Sequence, residues 1–132
     1  MRSPSKEKRM KFSVALVVAV VAAASSSAQA EGDPKEGEAV FKKNCSVCHT
    51  TEVDKNKIGP SLHGIVGRPS ATVPNFQYSE AMKKADKTWD EQTLETYLAN
   101  PREFIPNTKM IFAGLKNEKD RQNLVAYLAT QK

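Results

Sequence analysis

Cys45, Cys48 and His49 are the residues here whose types and spacing do the most specific chemistry: two thiols three positions apart, then an imidazole, in Cys45-Ser46-Val47-Cys48-His49. Thiols at this spacing on one turn of backbone face the same way and can add across the two vinyl groups of one porphyrin edge, the attachment chemistry of a c-type haem. The adjacent His49 imidazole then lies over the ring centre as a proximal iron ligand. Three other chemistries use parts of the same set. A zinc ion needs four donors, and beyond these three the chain offers the more distant His63, while adjacent Cys48 and His49 strain a small tetrahedral site. A thioredoxin-like pair sits at the end of a strand, and no strand pattern is readable over residues 36–50. A structural disulfide suits an exported protein but leaves His49 without a role.

The elements around this motif read as helices and ordered loops. Asp33-Pro34-Lys35-Glu36 predicts a helix start, with Asp33 as cap, Pro34 in the first turn and Glu36 at the capping-box position. Gly37, Val40, Phe41 and Asn44 continue at helical spacing straight into Cys45, and Gly37 predicts close backbone contact with another element. Residues 50–78 turn repeatedly through Gly59-Pro60, Gly64, Gly67, Pro69 and Pro74, which predicts a long ordered loop wrapped around something. Residues 79–85 read as a short helix. Thr88-Trp89-Asp90-Glu91 reads as a capping box ahead of Leu94, Tyr97 and Leu98, a helix that Pro101 stops near Asn100. Residues 104–115 are loop again. The last helix starts at Asn117 or Glu118 and presents Leu124, Tyr127 and Leu128 on one face. No run alternates with period two, so the expected class is all-α.

The first thirty residues read as an address. Residues 1–11 are basic, residues 12–24 are apolar, and Ala28-Gln29-Ala30 has the small-x-small form of a signal-peptidase site. The apolar run is shorter than the roughly 20 residues that a membrane span needs, so the expectation is a cleaved secretory signal over residues 1–30 and one domain over 31–132. An uncleaved membrane anchor is the alternative. The whole chain has 20 basic and 15 acidic residues, but the leader holds Arg2, Lys6, Lys8, Arg9 and Lys11 against Glu7 alone. The remainder carries 15 basic and 14 acidic residues, a formal +1, which gives no warrant for nucleic-acid binding.

Several segments occur in a recognisable order: Gly37-x-x-x-Phe41-x-x-x-Cys45-x-x-Cys48-His49, Ile58-Gly59-Pro60-x-Leu62-His63-Gly64, Gly67-Arg68, Tyr78-Ser79, Thr88-Trp89, Tyr97-Leu98-x-Asn100-Pro101, Ile105-Pro106-x-Thr108-Lys109-Met110-x-Phe112-x-Gly114 and Leu124-x-x-Tyr127-Leu128. Across almost all of residues 31–132 the chain resembles the class I, mono-haem cytochromes c, in a bacterial periplasmic form similar to the mitochondrial protein. The resemblance implies short helices and long loops around one covalent haem c, with the terminal helices packed together. It makes Met110 the second axial iron ligand opposite His49, whereas a methionine in a loop is ordinarily a gap filler. Met82 falls where the family has no ligand, and His63 reads as a surface histidine. By the same resemblance the Pro60 carbonyl accepts the ring N–H of His49, Arg68, Tyr78 and Trp89 surround the haem propionates, and Tyr97 and Thr108 hydrogen-bond around the methionine and inner propionate.

A His/Met pair adds no charge to iron, favours the ferrous state and closes both axial positions, so the resemblance implies a one-electron carrier and not an enzyme. It also implies a monomer that docks through a ring of cations at the haem edge, matched here by Lys43, Lys55, Lys57, Lys109 and Lys116, with Arg102 as a charge-keeping replacement. Glu38 and Glu103 depart from the more basic eukaryotic pattern. The partners implied are membrane-bound redox complexes: a cytochrome bc-type complex, an oxidase or a photosynthetic reaction centre. Two rivals differ in chemistry. A haem enzyme with peroxidase-like activity needs an open sixth position, and a structural metal module needs no redox role.

Overall fold

Capping chemistry starts the first helix where the sequence places it. α1 (Pro34–Asn44) begins with the Asp33 carboxylate accepting from the Lys35 and Glu36 amides at 2.8 and 3.4 Å, while Pro34 has no amide to satisfy. Its C-terminal carbonyls are met by Asn44 Nδ2, which donates to Val40 O at 2.9 Å, and by Ser46 Oγ, which donates to Lys42 O at 2.7 Å. The computed structural model describes residues 32–132; the expected leader and its cleavage point lie outside the described residues.

Four helices follow: α2 (Glu80–Lys84), α3 (Glu91–Ala99), α4 (Pro101–Phe104) and α5 (Glu118–Ala129). Among the described residues there is no strand, and the all-α class holds; one isolated antiparallel bridge joins Pro69 to Thr88. That bridge overturns the Thr88 capping box. Thr88 stays extended beside Pro69, and the cap of α3 is Asp90, whose carboxylate accepts from Thr93 N–H at 2.7 Å. This bond holds the Asp90 carboxyl below its ordinary range. Pro101 also does more than end α3. It opens α4, with the Asn100 side chain as its cap.

α1 packs against α5, and α5 also meets α3. Leu124, Val125 and Leu128 of α5, Phe41 of α1 and Leu94, Tyr97 and Leu98 of α3 are buried together with the loop residues Ile65, Trp89, Ile105 and Leu115. Tyr127 is only half-buried; its ring lies 5.5 Å from that of Phe41. The α1–α5 contact depends on the absence of a side chain at Gly37, because a Cβ there would lie 1.9 Å from Asn123 O and 2.7 Å from Tyr127 Cβ. Gly37→Ala is expected to push the helices apart and lower stability by about 3 kcal/mol, the upper end of overpacking costs. Guanidinium unfolding of the holoprotein measures this, and a loss below about 1 kcal/mol would mean that the helices slide past the added methyl.

Candidate functional site

The cysteine motif is a tight continuation of α1. Cys45 N–H donates to Phe41 O at 2.8 Å, and the Cys45 carbonyl then accepts from both Cys48 N–H at 3.1 Å and His49 N–H at 2.9 Å. One carbonyl thus gathers both ends of the motif. Val47, between the thiols, is 72% exposed, while Cys45 and Cys48 are half-buried free thiols. Burial, reinforced by the neighbouring Cys48, pushes the Cys45 thiol up to about 11.

The loop after the motif folds back over His49. Gly59 N–H donates to Cys48 O at 2.8 Å and Leu62 N–H to Thr50 O at 2.8 Å, which carries residues 59–60 across the imidazole. Only glycine fits there: a Cβ on Gly59 would lie 2.3 Å from the His49 ring. Pro60 O lies 2.7 Å from His49 Nδ1. A carbonyl only accepts, so Nδ1 carries the proton and the neutral ring keeps its lone pair at Nε2. Burial lowers the His49 pKa below its ordinary 6.5, with Arg68 and Lys57 adding to the effect and the Pro60 bond partly opposing it. The ring is therefore neutral at pH 7. As pH falls below 6.5 the unfolded chain takes up a proton that folded His49 resists, so this group withdraws stability on acidification.

Met110 lies far from this loop in sequence and is set by different elements. The preceding turn places Thr108 N–H on Ile105 O at 3.1 Å, and the segment is anchored beyond Met110 where Leu115 N–H donates to Leu98 O at 2.8 Å. Gly114 permits that docking, with φ of 103° and no room for a Cβ against Ala99 O. The Tyr97 hydroxyl donates to Met110 Sδ at 3.3 Å. Burial raises the Tyr97 phenol above its ordinary range, with Thr108 pulling the other way, so the donor keeps its proton at neutral pH. Met110 N–H itself meets Thr108 Oγ1 at 3.4 Å. Met82 sits on α2, partly buried against the core.

Arg68, Tyr78 and Trp89 come from one folded region. Trp89 N–H donates to Arg68 O at 2.9 Å and Gly67 N–H to Trp89 O at 2.8 Å. The Trp89 ring is buried 5.0 Å from that of Tyr97. Arg68 Nη1 donates to Ser61 O at 3.1 Å and His63 O at 3.0 Å, and the Tyr78 hydroxyl accepts from Val73 N–H at 3.1 Å. His63 departs from the expectation of a surface histidine: it is half-buried, with Nδ1 3.2 Å from Thr51 O. It ties two loop segments together.

The candidate docking cations divide into two groups. Lys43 and Arg102 are exposed and form no ion pair among the described residues. The others are held locally. Lys57 donates to Ser46 O at 2.5 Å, Lys109 to Gln77 O while lying 4.8 Å over the Phe76 ring, and Lys116 to Ala99 O at 2.9 Å. Backbone carbonyls fix these ammonium groups without neutralising them. Lys55 is the exception, paired with Glu52. Of the two acidic departures, Glu38 pairs with Lys42 at 2.6 Å and Glu103 accepts from Asn100 at 2.9 Å, so neither is bonded to a docking cation.

Sequence reasoning missed three polar residues that shape the site. Asn56 and Ser61 brace the loop behind His49, and Asn123 holds the start of α1 through Asp33 N–H at 2.8 Å. No spacing rule marks them, since their partners are backbone atoms brought close by the loops. The donor chemistry fits a covalently held haem: two free thiols on one turn, a neutral imidazole with its lone pair at Nε2, and a thioether oriented by a phenol.

Comparison with known proteins supplies a family. The sequence pattern of the family "Cytochrome c" matches residues 34–132. The chain is similar to cytochrome c2 of Rhodomicrobium vannielii, 48% identical over 123 residues that span 92% of this chain and 98% of that protein. It is 50% identical to cytochrome c of Gibberella zeae over 100 residues, 75% of this chain and 94% of that one. Cytochrome c type-1 of Ascaris suum is 48% identical over 98 residues, 74% of this chain and 88% of its own length.

Proposed function

Because the chain belongs to the cytochrome c family, we propose that it is a soluble one-electron carrier of the periplasm whose haem iron is held axially by His49 and Met110. The family carries one covalently attached haem c, and its members transfer electrons without acting as enzymes. When bound, that group supplies a single iron centre that alternates between two oxidation states. The residues do the rest. Cys45 and Cys48 hold the porphyrin edge. The Pro60 carbonyl orients His49, and Tyr97 orients the Met110 thioether. Arg68, Tyr78 and Trp89 provide the donors for the propionates in this reading, with Thr108 beside Tyr97.

The observation that carries the reading is that each axial donor is held in place by a second group before any redox event, His49 by Pro60 at 2.7 Å and Met110 by Tyr97 at 3.3 Å. With a haem bound, His49 and Met110 would hold its iron, and donors already fixed by Pro60 and Tyr97 would limit rearrangement between oxidation states and exclude peroxide or oxygen. This favours a carrier over a peroxidase.

The basic and apolar stretches of residues 1–30, with Ala28-Gln29-Ala30, support export and cleavage before Glu31. Among the described residues no helix is long and apolar enough to cross a membrane. The partners in this reading are membrane-bound complexes, a cytochrome bc-type complex as donor and an oxidase or photosynthetic reaction centre as acceptor. Lys43, Lys57, Lys109, Lys116 and Arg102 steer the encounter, with Lys55 contributing less because Glu52 neutralises it.

Electron transfer to the membrane acceptor tests this. Lys43→Glu is expected to slow the second-order rate about three- to tenfold at low salt, within the range of electrostatic steering, while Lys132→Glu changes it little. The difference should fade above about 0.15 M salt, where the screening length is roughly 8 Å. Equal rates for both variants at low salt would replace the cation ring with apolar docking. No electron exchange with any membrane fraction would remove the carrier assignment.

A further inference from the structure

Among the described residues two polar side chains are buried, Asn123 and Ser61, and only the first is explained by helix packing. Ser61 is 3% exposed in a loop, and each of its polar groups is bonded. Its hydroxyl donates to Glu52 O at 2.5 Å and accepts from His63 N–H at 3.2 Å, its carbonyl accepts from Arg68 at 3.1 Å, and its amide donates to Asn56 Oδ1 at 3.0 Å. The last bond has a particular consequence. The amide N–H of Ser61 and the carbonyl of Pro60 are two ends of one planar peptide group. Asn56 holds one end and His49 the other.

From this relay we infer that Asn56 is a positioning residue for His49, acting through the Pro60–Ser61 peptide group. Asn56 Oδ1 fixes the tilt of the peptide plane and, by accepting from its N–H, polarises the carbonyl that receives the His49 proton. Asn56 is itself held by its donor bond to Pro74 O at 3.0 Å, so its amide has a defined orientation and the acceptor faces Ser61. The inference rests on His49 being the axial ligand. A stronger Nδ1–H bond gives the imidazole more anionic character and favours ferric iron; a weaker one favours ferrous iron.

Asn56→Ala in the holoprotein should therefore weaken the His49 bond without touching it. The expected signs are about tenfold faster solvent exchange of the His49 Nδ1 proton by NMR and an upfield shift of that proton. The reduced-to-oxidised ratio at fixed poise should rise about threefold, ~30 mV at about 59 mV per tenfold for one electron. Asn56→Asp keeps the acceptor and loses only the donor to Pro74, so its Nδ1 proton should exchange no faster than in the parent. Ser61→Ala keeps the amide N–H that Asn56 accepts and loses only the hydroxyl bonds to Glu52 and His63, so it should move exchange and potential much less than Asn56→Ala. Asn123→Ala serves as a control that loses stability at a distance from His49. If Asn56→Ala loses stability like Asn123→Ala yet leaves the Nδ1 proton and potential unmoved, Asn56 is only a loop tie and the inference fails. If the parent His49 ring shows none of the shifts that bound iron induces, the ligand assignment fails first and takes the inference with it.

Discussion

Met110→Ala is expected to keep its covalent haem while losing the sulfur-to-iron absorption band, dropping in potential and gaining reactivity toward cyanide and peroxide. The thioether sets the direction of the change. It is neutral, so as the proposed ligand opposite His49 it would add no negative charge to the centre and favour the reduced state; its removal would shift the balance toward the oxidised state. The fall should be an appreciable part of the roughly 0.8 V over which axial ligands set haem potentials. Removal also opens one position that small molecules can enter, so peroxidase-like turnover should rise as electron transfer falls. Tyr97→Phe tests the support separately. It removes the 3.3 Å bond to Sδ but leaves the sulfur, and its effect on potential should be much smaller. Met82→Ala should leave band and potential in place, because Met82 belongs to α2 and packs on the core. If the spectrum survives Met110→Ala and changes in Met82→Ala, the ligand is Met82 and the Tyr97 contact is packing alone.

The parts of the fold that were legible are those where local chemistry and tertiary contact agree. Asp33 and Pro34 start α1 by capping alone, and the same helix buries Phe41 where the periodicity places it. Gly37 signalled a close approach, and the structure identifies the partner as the Asn123 backbone. Thr88 misled because its sequence suits a cap, while the bridge to Pro69 holds it extended and hands the cap to Asp90 two residues later. A contact 19 positions away in sequence outweighed a local preference. Pro101 reads as a stop, although proline with a preceding asparagine is equally a start, and α4 uses it so. At the site, the cysteine motif was readable because covalent chemistry demands a fixed spacing. Asn56 and Ser61 were not, because hydrogen bonds to backbone atoms impose no pattern on side-chain identity. The proposed docking cations are legible as residue types only. That Lys55 is neutralised by Glu52 while Lys43 is unpaired among the described residues follows from side-chain placement, which sequence spacing does not determine.

Replacing both cysteines, Cys45→Ala with Cys48→Ala, should convert a pigment that survives denaturation into one that acidified organic solvent removes. Each thioether forms when an S–H adds across a vinyl C=C: sulfur bonds to one carbon, hydrogen to the other, and no electrons are gained or lost. The reaction therefore needs two reduced thiols, and both cysteines are free here. A single replacement leaves one thioether and one vinyl group still conjugated with the ring, so Cys45→Ala and Cys48→Ala should each keep bound pigment with absorption bands moved to longer wavelength. The two single variants need not be equally stable. Cys45 packs against the core, so losing the Cys45 link also leaves a small gap against buried side chains, costing about 1–2 kcal/mol more by the scale for deleted buried groups. Mass spectrometry of the denatured parent should place one haem on the peptide holding both cysteines. Metal analysis should find iron in a one-to-one ratio with that peptide. Pigment that extracts freely from the parent chain, or zinc in place of iron on Cys45 and Cys48, would overturn covalent attachment, and the axial assignments of His49 and Met110 would fall with it.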